Sequence, residues 1–423
     1  MRIMVVGGGG REHAIIKKLK SSPKVTEIFA LPGNGAIAQD ATCVNIGAKD
    51  IDGIVNFAKE NNIEFAVVAP DDPLVLGAVD ALHEAGIPCF GPESKAAIIE
   101  GSKIFSKNMM KDAGIPTAQY ETFDNMDKAL EYLETCAIPV VIKADGLALG
   151  KGVVIAMTRD EAKQAVKEMM EDKVFGDSGS NIVIEEFLTG PEVSVLSFTD
   201  GNVVVPMVSS MDHKRIGDND TGLNTGGMGT IAPNPYYTEE IAQQCMKEIF
   251  LPTMEAMNKM GRTFKGCLYF GLMLTEAGPK VIEYNCRFGD PETQVVLPLL
   301  KTDLFEIMQA VENGTLADIN VEFKDESACC VVMASEGYPK KYDTGFEITY
   351  DMDLEAEIFV AGAKAEDGRL LTAGGRVLGV VCTAENLSLA VEKAYREVEK
   401  VHFANSYCRK DIGKKALKVL EEN

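Results

Sequence analysis

Along the first hundred residues, short apolar runs alternate with stretches of helical spacing. Ile3 to Val6 predicts a strand, Gly7 to Gly10 a turn, and Arg11 to Lys20 a helix. Strand-like runs follow at Glu27 to Leu31 and Ala66 to Ala69, and Gly86 to Pro92 reads as another short strand between turn residues. Ser94 to Lys111 reads as one helix with Ser94 as its N-cap. Strands that alternate with helices imply a parallel sheet, and this first unit is expected to span residues 1–120.

Farther on the rhythm changes. Val140 to Lys143 and Val153 to Ala156 are apolar strands on either side of a glycine-bearing loop, Ala144 to Gly152, which predicts a hairpin. Arg159 to Asp172 has helical spacing, and Asn181 to Leu188 is a strand that ends in acidic residues, giving a small α+β unit over 121–190. A larger mixed unit is expected over 191–325. It holds the glycine-rich polar stretch Asp212 to Gly229, long enough without structure of its own to suggest a task, and the strand Pro279 to Asn285. Strands at Ala328 to Ala334, Glu357 to Ala361 and Val377 to Thr383, then helices at Leu387 to His402 and Ile412 to Glu422, read as a separate terminal domain, 326–423. The expected class is a multidomain α/β and α+β chain.

Composition agrees with several cores. At 423 residues the chain is too long for one, and its 46% hydrophobic and 25% charged content is ordinary for folded proteins. A net charge of -22 argues against a nucleic-acid surface. It leaves room for an anionic small substrate in a pocket lined locally by cations. The ten cysteines show no Cys-x-x-Cys pair, so reduced, packed thiols are expected. The N-terminal apolar run is too short for a signal core and no other run reaches bilayer length, so a cytoplasmic location and no membrane partner are expected. Histidines at 13, 83, 213 and 402 lie too far apart in sequence to suggest a histidine metal site.

Candidate chemistry is densest at Glu283 to Gln294. On an extended strand Glu283 and Asn285 share one side, so their oxygens can share a hard cation such as Mg²⁺ or Mn²⁺ carrying ATP. Arg287 follows, with a planar fork suited to a phosphate or carboxylate. An ordinary edge strand with solvated polar residues is the plain alternative. The loop Asp145 to Gly152 departs from the G-x-x-x-x-G-K-[ST] order because Gly152 follows Lys151. Its glycines, Gly150 and Gly152 among them, would let backbone N–H groups close over phosphates, with Lys143 adding a point charge; a plain hairpin is the other reading. Gly7 to Gly10 fails the dinucleotide fingerprint, since Glu12 and His13 stand where the last glycine belongs. What remains is a glycine turn opening a helix, either a phosphate site or a tight turn with no ligand.

The order of lid loop, Glu185-Glu-Phe-Leu188 and Glu283-x-Asn285 resembles the ATP-grasp superfamily. Within it, Gly7-Gly-Gly-Gly-Arg-Glu-His-Ala14, Gly91 to Ala97, Glu100-Gly-Ser-Lys103, Asn224 to Gly229, Arg287-Phe-Gly-Asp-Pro-Glu-Thr-Gln294, Gly374 to Leu378 and Arg409 to Gly413 are similar to the phosphoribosylamine–glycine ligase family over essentially the whole chain. This resemblance implies an N-terminal parallel α/β domain, an ATP-grasp fold of two α+β subdomains (121–190 and 191–325) and a small C-terminal α/β domain. It implies ATP-dependent joining of glycine to 5-phosphoribosylamine through glycyl phosphate. Lys103, Lys143, Gly150, Lys151, Gly152, Glu185, Glu186, Phe187, Leu188 and Glu192 would bind ATP, and Glu283 and Asn285 the metal. Arg287, Asp212 and Lys214 would be catalytic. Gly9, Gly10, Arg11, Asn224, Thr225, Gly226, Asp290 and Pro291 would bind substrates, with Asp212 opposite the glycine ammonium. A monomer or weak homodimer is expected. Three departures stand out: Ala69-Pro-Asp-Asp-Pro-Leu74 replaces the usual Gly-Pro-Glu before Pro-Leu, Val360 replaces a histidine, and Phe270 to Leu274 offers no acidic third metal ligand.

Overall fold

In a computed structural model, which describes residues 1–147, 152–174 and 176–422, the chain forms four main sheets, of five, four, four and six strands, and charged side chains line a groove around Glu283. Gly150 and Lys151 lie outside the described residues. The first layer is a five-stranded sheet of Arg2–Gly7, Glu27–Pro32, Thr42–Cys43, Phe65–Val68 and Cys89–Phe90, in spatial order third, second, first, fourth, fifth. All its pairings are parallel. Its central strand is apolar without interruption because it is covered on both sides: Ile3 and Val5 enter one core and Met4 and Val6 another.

The single helix expected over Ser94 to Lys111 is instead two, Ser94–Gly101 and Lys103–Ala113. Ser102 breaks them: its backbone is extended, its Oγ accepts the Phe105 N–H at 3.1 Å, and it caps the second helix. That break aims Lys103 at the groove.

A four-stranded antiparallel sheet follows, ordered Tyr120–Phe123, Ile182–Glu186, Val140–Ala144, Val153–Ala156. With helices Met126–Thr135 and Arg159–Met170 it has its own small core around Ile142, Ile184 and Met169. A second antiparallel sheet runs Val204–Pro206, Glu192–Thr199, Gly266–Thr275, Gly278–Asn285. Here the simple alternation expected from Pro279 to Asn285 is interrupted. Gly271 pairs with Glu283 but Leu272 with Val281, so Ile282 is a bulge. The bulge resets the phase, sending Val281 and Tyr284 into the core and leaving Glu283 and Asn285 together on the groove side.

The terminal sheet is shared rather than separate. Its strands Ser327–Ser335, Arg376–Ala384 and Glu357–Val360 continue into Gly229–Ala232 and Met211–Asp212 from the middle of the chain. Helix Leu387–Val398 covers one face. It stops short of His402, which joins a two-stranded ribbon with Thr349–Tyr350. All ten cysteines carry free thiols, and among the described residues no helix is long and apolar enough to cross a membrane.

Candidate active site

Four cations from four parts of the chain converge on Glu283. Removal from water alone would raise its pKa, but Lys214, Lys143, Lys103 and Arg287 outweigh that and hold it below the usual value. The carboxylate is therefore ionised at neutral pH. Lys214 Nζ lies 3.8 Å from it and 3.1 Å from Glu192, which stands half-exposed at the start of Glu192–Thr199. Lys143 Nζ donates to the bulge carbonyl of Ile282 at 3.0 Å and pairs with buried Glu185 at 3.1 Å. Lys103, whose pKa burial lowers while Glu283 pulls it up, donates to Gly146 O at 2.9 Å. The base of the glycine loop is fastened by Asp145, which accepts from Ser102 Oγ at 3.0 Å and Ile104 N at 2.8 Å. Gly152 closes the loop, its carbonyl accepting from Ala144 N at 2.8 Å.

Arg287 leaves the same strand. Its Nη2 meets Glu100 at 2.9 Å and its Nη1 lies 3.3 Å from Asn285 Oδ1, while its Nε is buried without an acceptor. Glu100 also accepts Cys286 N–H at 2.7 Å, so one buried carboxylate sets both the backbone and the guanidinium. Asn285 Nδ2 donates to Tyr284 O at 2.8 Å, which turns Oδ1 toward the groove.

Asp212 differs. Burial and the neighbouring Glu292 push its pKa well above the usual value, against the pull of Lys214 and Arg376. Its Oδ1 accepts His213 N–H at 2.7 Å. A Cβ on Gly227 would come within 2.6 Å of that oxygen; with φ +111 there, only glycine lets the loop pass so close. Thr225 donates its N–H and hydroxyl to Lys214 O at 2.7 and 2.9 Å. Asn224 ends the short strand Thr221–Asn224 just before it. Gly226 is gripped from the terminal sheet: its carbonyl accepts Arg376 Nη1 at 2.7 Å and its N–H donates to Tyr338 OH at 3.1 Å. The same Arg376 Nη1 reaches Asp290 O at 3.0 Å, so the turn Asp290–Pro291 and the Gly226 loop share one guanidinium.

Other predicted residues fall differently. Arg11 is committed to Glu12, Nε to Oε1 at 2.5 Å, and to Phe288 O at 3.1 Å. Glu12 takes the Gly9 N–H at 2.6 Å, so the helix that begins at Gly10 already has an anion at its N-terminus. A substrate phosphate would compete with it. Strand Ile182–Glu186 ends before Phe187 and Leu188, whose backbone therefore lies beyond the ladder. Exposed Glu186 accepts from Gln119 N at 3.2 Å. His213 has both ring nitrogens engaged, Nδ1 with Gly229 O at 3.0 Å and Nε2 accepting Gly413 N–H at 3.1 Å. Burial, then Arg409, pushes it down to about 4, so it is a neutral structural link and no phosphate ligand. Arg409 is buried against Asp220 and Asp411 at 3.0 and 2.8 Å. Among the described residues no three His, Cys, Asp or Glu side chains form a metal-sized cluster, and Gly271 stands opposite Glu283. Sequence reasoning missed Glu292 and gave Glu100 no role. Their spacing from their partners is long, and the one signal for either was position inside a family motif.

Residues 1–100, 101–293 and 328–415 match the family models described as the N, ATP-grasp (A) and C domains of phosphoribosylglycinamide synthetase. The phosphoribosylamine–glycine ligase of Caldanaerobacter subterraneus subsp. tengcongensis is 48% identical over 97% of this chain and 99% of its own. That of Escherichia coli O6:H1 is 45% identical over 99% of both. The crystal structure of the Thermotoga maritima ligase superposes with TM-score 0.86 at 34% identity, covering 97% of this chain and 100% of that one. A biotin carboxylase domain from Hydrogenobacter thermophilus, solved with MgADP and bicarbonate, shares the fold at TM-score 0.74 and 17% identity over 96% of this chain and 91% of its own. With three matched domains and near-complete coverage, the chain belongs to the phosphoribosylamine–glycine ligase family of ATP-grasp proteins.

Proposed function

We propose that the chain joins glycine to 5-phosphoribosylamine at the expense of ATP, giving glycinamide ribonucleotide, ADP and phosphate in purine biosynthesis. One observation carries the reading: Lys103, Lys143, Lys214 and Arg287 all act on one ionised carboxylate, Glu283. Such a cluster suits a reaction that gathers negative charge at a transferring phosphoryl group.

Glu283 and Asn285 present two groove-side oxygens that fit a hard divalent cation, Mg²⁺ or Mn²⁺, with phosphate and water oxygens filling the other positions. Bound there, the cation would neutralise phosphate oxygens during transfer. Lys103 and Lys143 hold the α- and β-phosphates, aided by backbone N–H groups of the loop that includes Gly152. The backbone at Glu186 to Leu188 reads adenine, and Glu192 the ribose hydroxyls. Asp212, framed by Asn224, Thr225 and Gly226, takes the glycine ammonium, losing its proton as it does so. The glycine carboxylate attacks the γ-phosphorus, ADP leaves, and Arg287 stabilises the transferring group through its fork. The phosphoribosylamine nitrogen then attacks the glycyl carbonyl carbon. Phosphate departs with the C–O bond pair and the nitrogen loses a proton. Lys214, beside both carboxylates, keeps charge balanced there. Gly9, Gly10, Arg11, Asp290 and Pro291 line the acceptor side.

The test is release of phosphate from ATP by the full chain. It should require glycine, phosphoribosylamine and a divalent cation together; release at the same rate without either acceptor refutes the reading.

A further inference from the structure

Behind the nucleotide edge lies a buried group with no role in the scheme above. Lys107, on helix Lys103–Ala113, is 2% exposed. Its Nζ lies 3.2 Å from Glu185 Oε2 and donates to Thr117 Oγ1 at 2.7 Å. Thr117 in turn donates to Val281 O at 2.7 Å. Lys143 reaches the same Glu185 Oε2 at 3.1 Å and donates to Ile282 O. Two lysines thus share one carboxylate oxygen, and both routes end on the bulge that turns Glu283 to the groove. Glu185 Oε1 is buried with no partner at all.

Charge alone does not account for this. Lys143 already neutralises Glu185, and a second buried ammonium is costly to keep; burial brings Lys107 down to about 8 despite the pull of Glu185. An unpartnered buried carboxylate oxygen is also costly, unless something else supplies the donor. Held by two cations on Oε2, the carboxylate has one orientation, and Oε1 is the atom left for a ligand.

We propose that Lys107 is a positioning residue for the nucleotide, clamping Glu185 so that Oε1 meets an exocyclic amino group of the base and selects a 6-amino over a 6-oxo purine. The inference rests on the nucleotide reading at Glu185 to Leu188. An amino edge donates to Oε1, whereas an oxo edge presents a second acceptor to a buried acceptor, which a site built for hydrogen bonding rejects strongly.

The experiment compares Lys107→Met, Lys107→Arg and Lys111→Met in the full chain, by steady-state kinetics with ATP and GTP and by thermal unfolding. Lys111, on the same helix over Tyr120 at 6.0 Å, is the control and should behave as wild type. Wild type should prefer ATP. Lys107→Met should raise KM for ATP about tenfold and cut the ATP-to-GTP ratio of kcat/KM by a similar factor, leaving KM for glycine within about twofold, as loss of a charge-assisted hydrogen bond implies. Lys107→Arg keeps the charge and should fall between. Equal rises in both Michaelis constants would mark a merely structural role and overturn the inference, as would an unchanged nucleotide preference. Should Lys107→Met fail to fold, an unchanged preference in Lys107→Arg overturns it equally. The wild-type requirement for both acceptors tests the ligase reading separately.

Discussion

Glu283 and Asp212 both act on Lys214 and are both half-buried, yet their pKa values move in opposite directions. Burial favours the proton on each. At Glu283 four cations reverse that; at Asp212 a second carboxylate, Glu292, reinforces it over Lys214 and Arg376. Lys214 serves both. The lesson is that depth alone does not set a carboxylate's charge here: the neighbouring charges decide the direction.

The largest break in this contrast is Glu283→Gln, which removes the anion that the four cations share. We expect kcat/KM for ATP to fall about a hundredfold or more, with added Mn²⁺ failing to restore it. A loss under threefold would detach Glu283 from the reaction. Next is Arg287→Lys, which keeps charge but loses the fork that meets Glu100 and faces the groove. Single-turnover phosphoryl transfer should slow by well over tenfold; an unaffected rate rules the role out. Asp212→Ala should raise KM for glycine about tenfold with KM for ATP little changed, and an unchanged glycine constant removes that assignment. Smallest is the pH effect. Because Asp212 is shifted upward, a growing share ionises as pH rises beyond the ordinary carboxylate range, and only the ionised form pairs with an ammonium. KM for glycine should therefore fall as pH rises above the ordinary carboxylate range and be flat in Asp212→Ala. A rising wild-type constant would reverse the sign.

Much of this was legible beforehand where chemistry is local. The apolar run Ile3 to Val6, the hairpin strands around the glycine loop and the placement of Glu283 and Asn285 on one side follow from periodicity within a few residues. Non-local facts were hidden. The split at Ser102 was masked by helix-forming neighbours, because a cap that shortens one helix reads the same as a polar position inside a longer one. The bulge at Ile282 cannot be seen in its own strand, since it exists only relative to the partner register. His213 is adjacent to Lys214 in the chain, yet the partners of its two ring nitrogens, Gly229 and Gly413, lie far from it in sequence.

By itself the sequence determined the succession of strands and helices, the family, and which residue types could meet a nucleotide and an amine. These depend on short-range periodicity and on motifs that carry their own spacing. Only the tertiary structure decided that Glu100 backs Arg287, that burial and Glu292 raise the pKa of Asp212, that Arg376 grips the Gly226 loop and that Lys107 pairs with Glu185. Each is a through-space interaction between residues far apart in the chain, and the energy of a charge depends on what folding brings within a few ångströms of it.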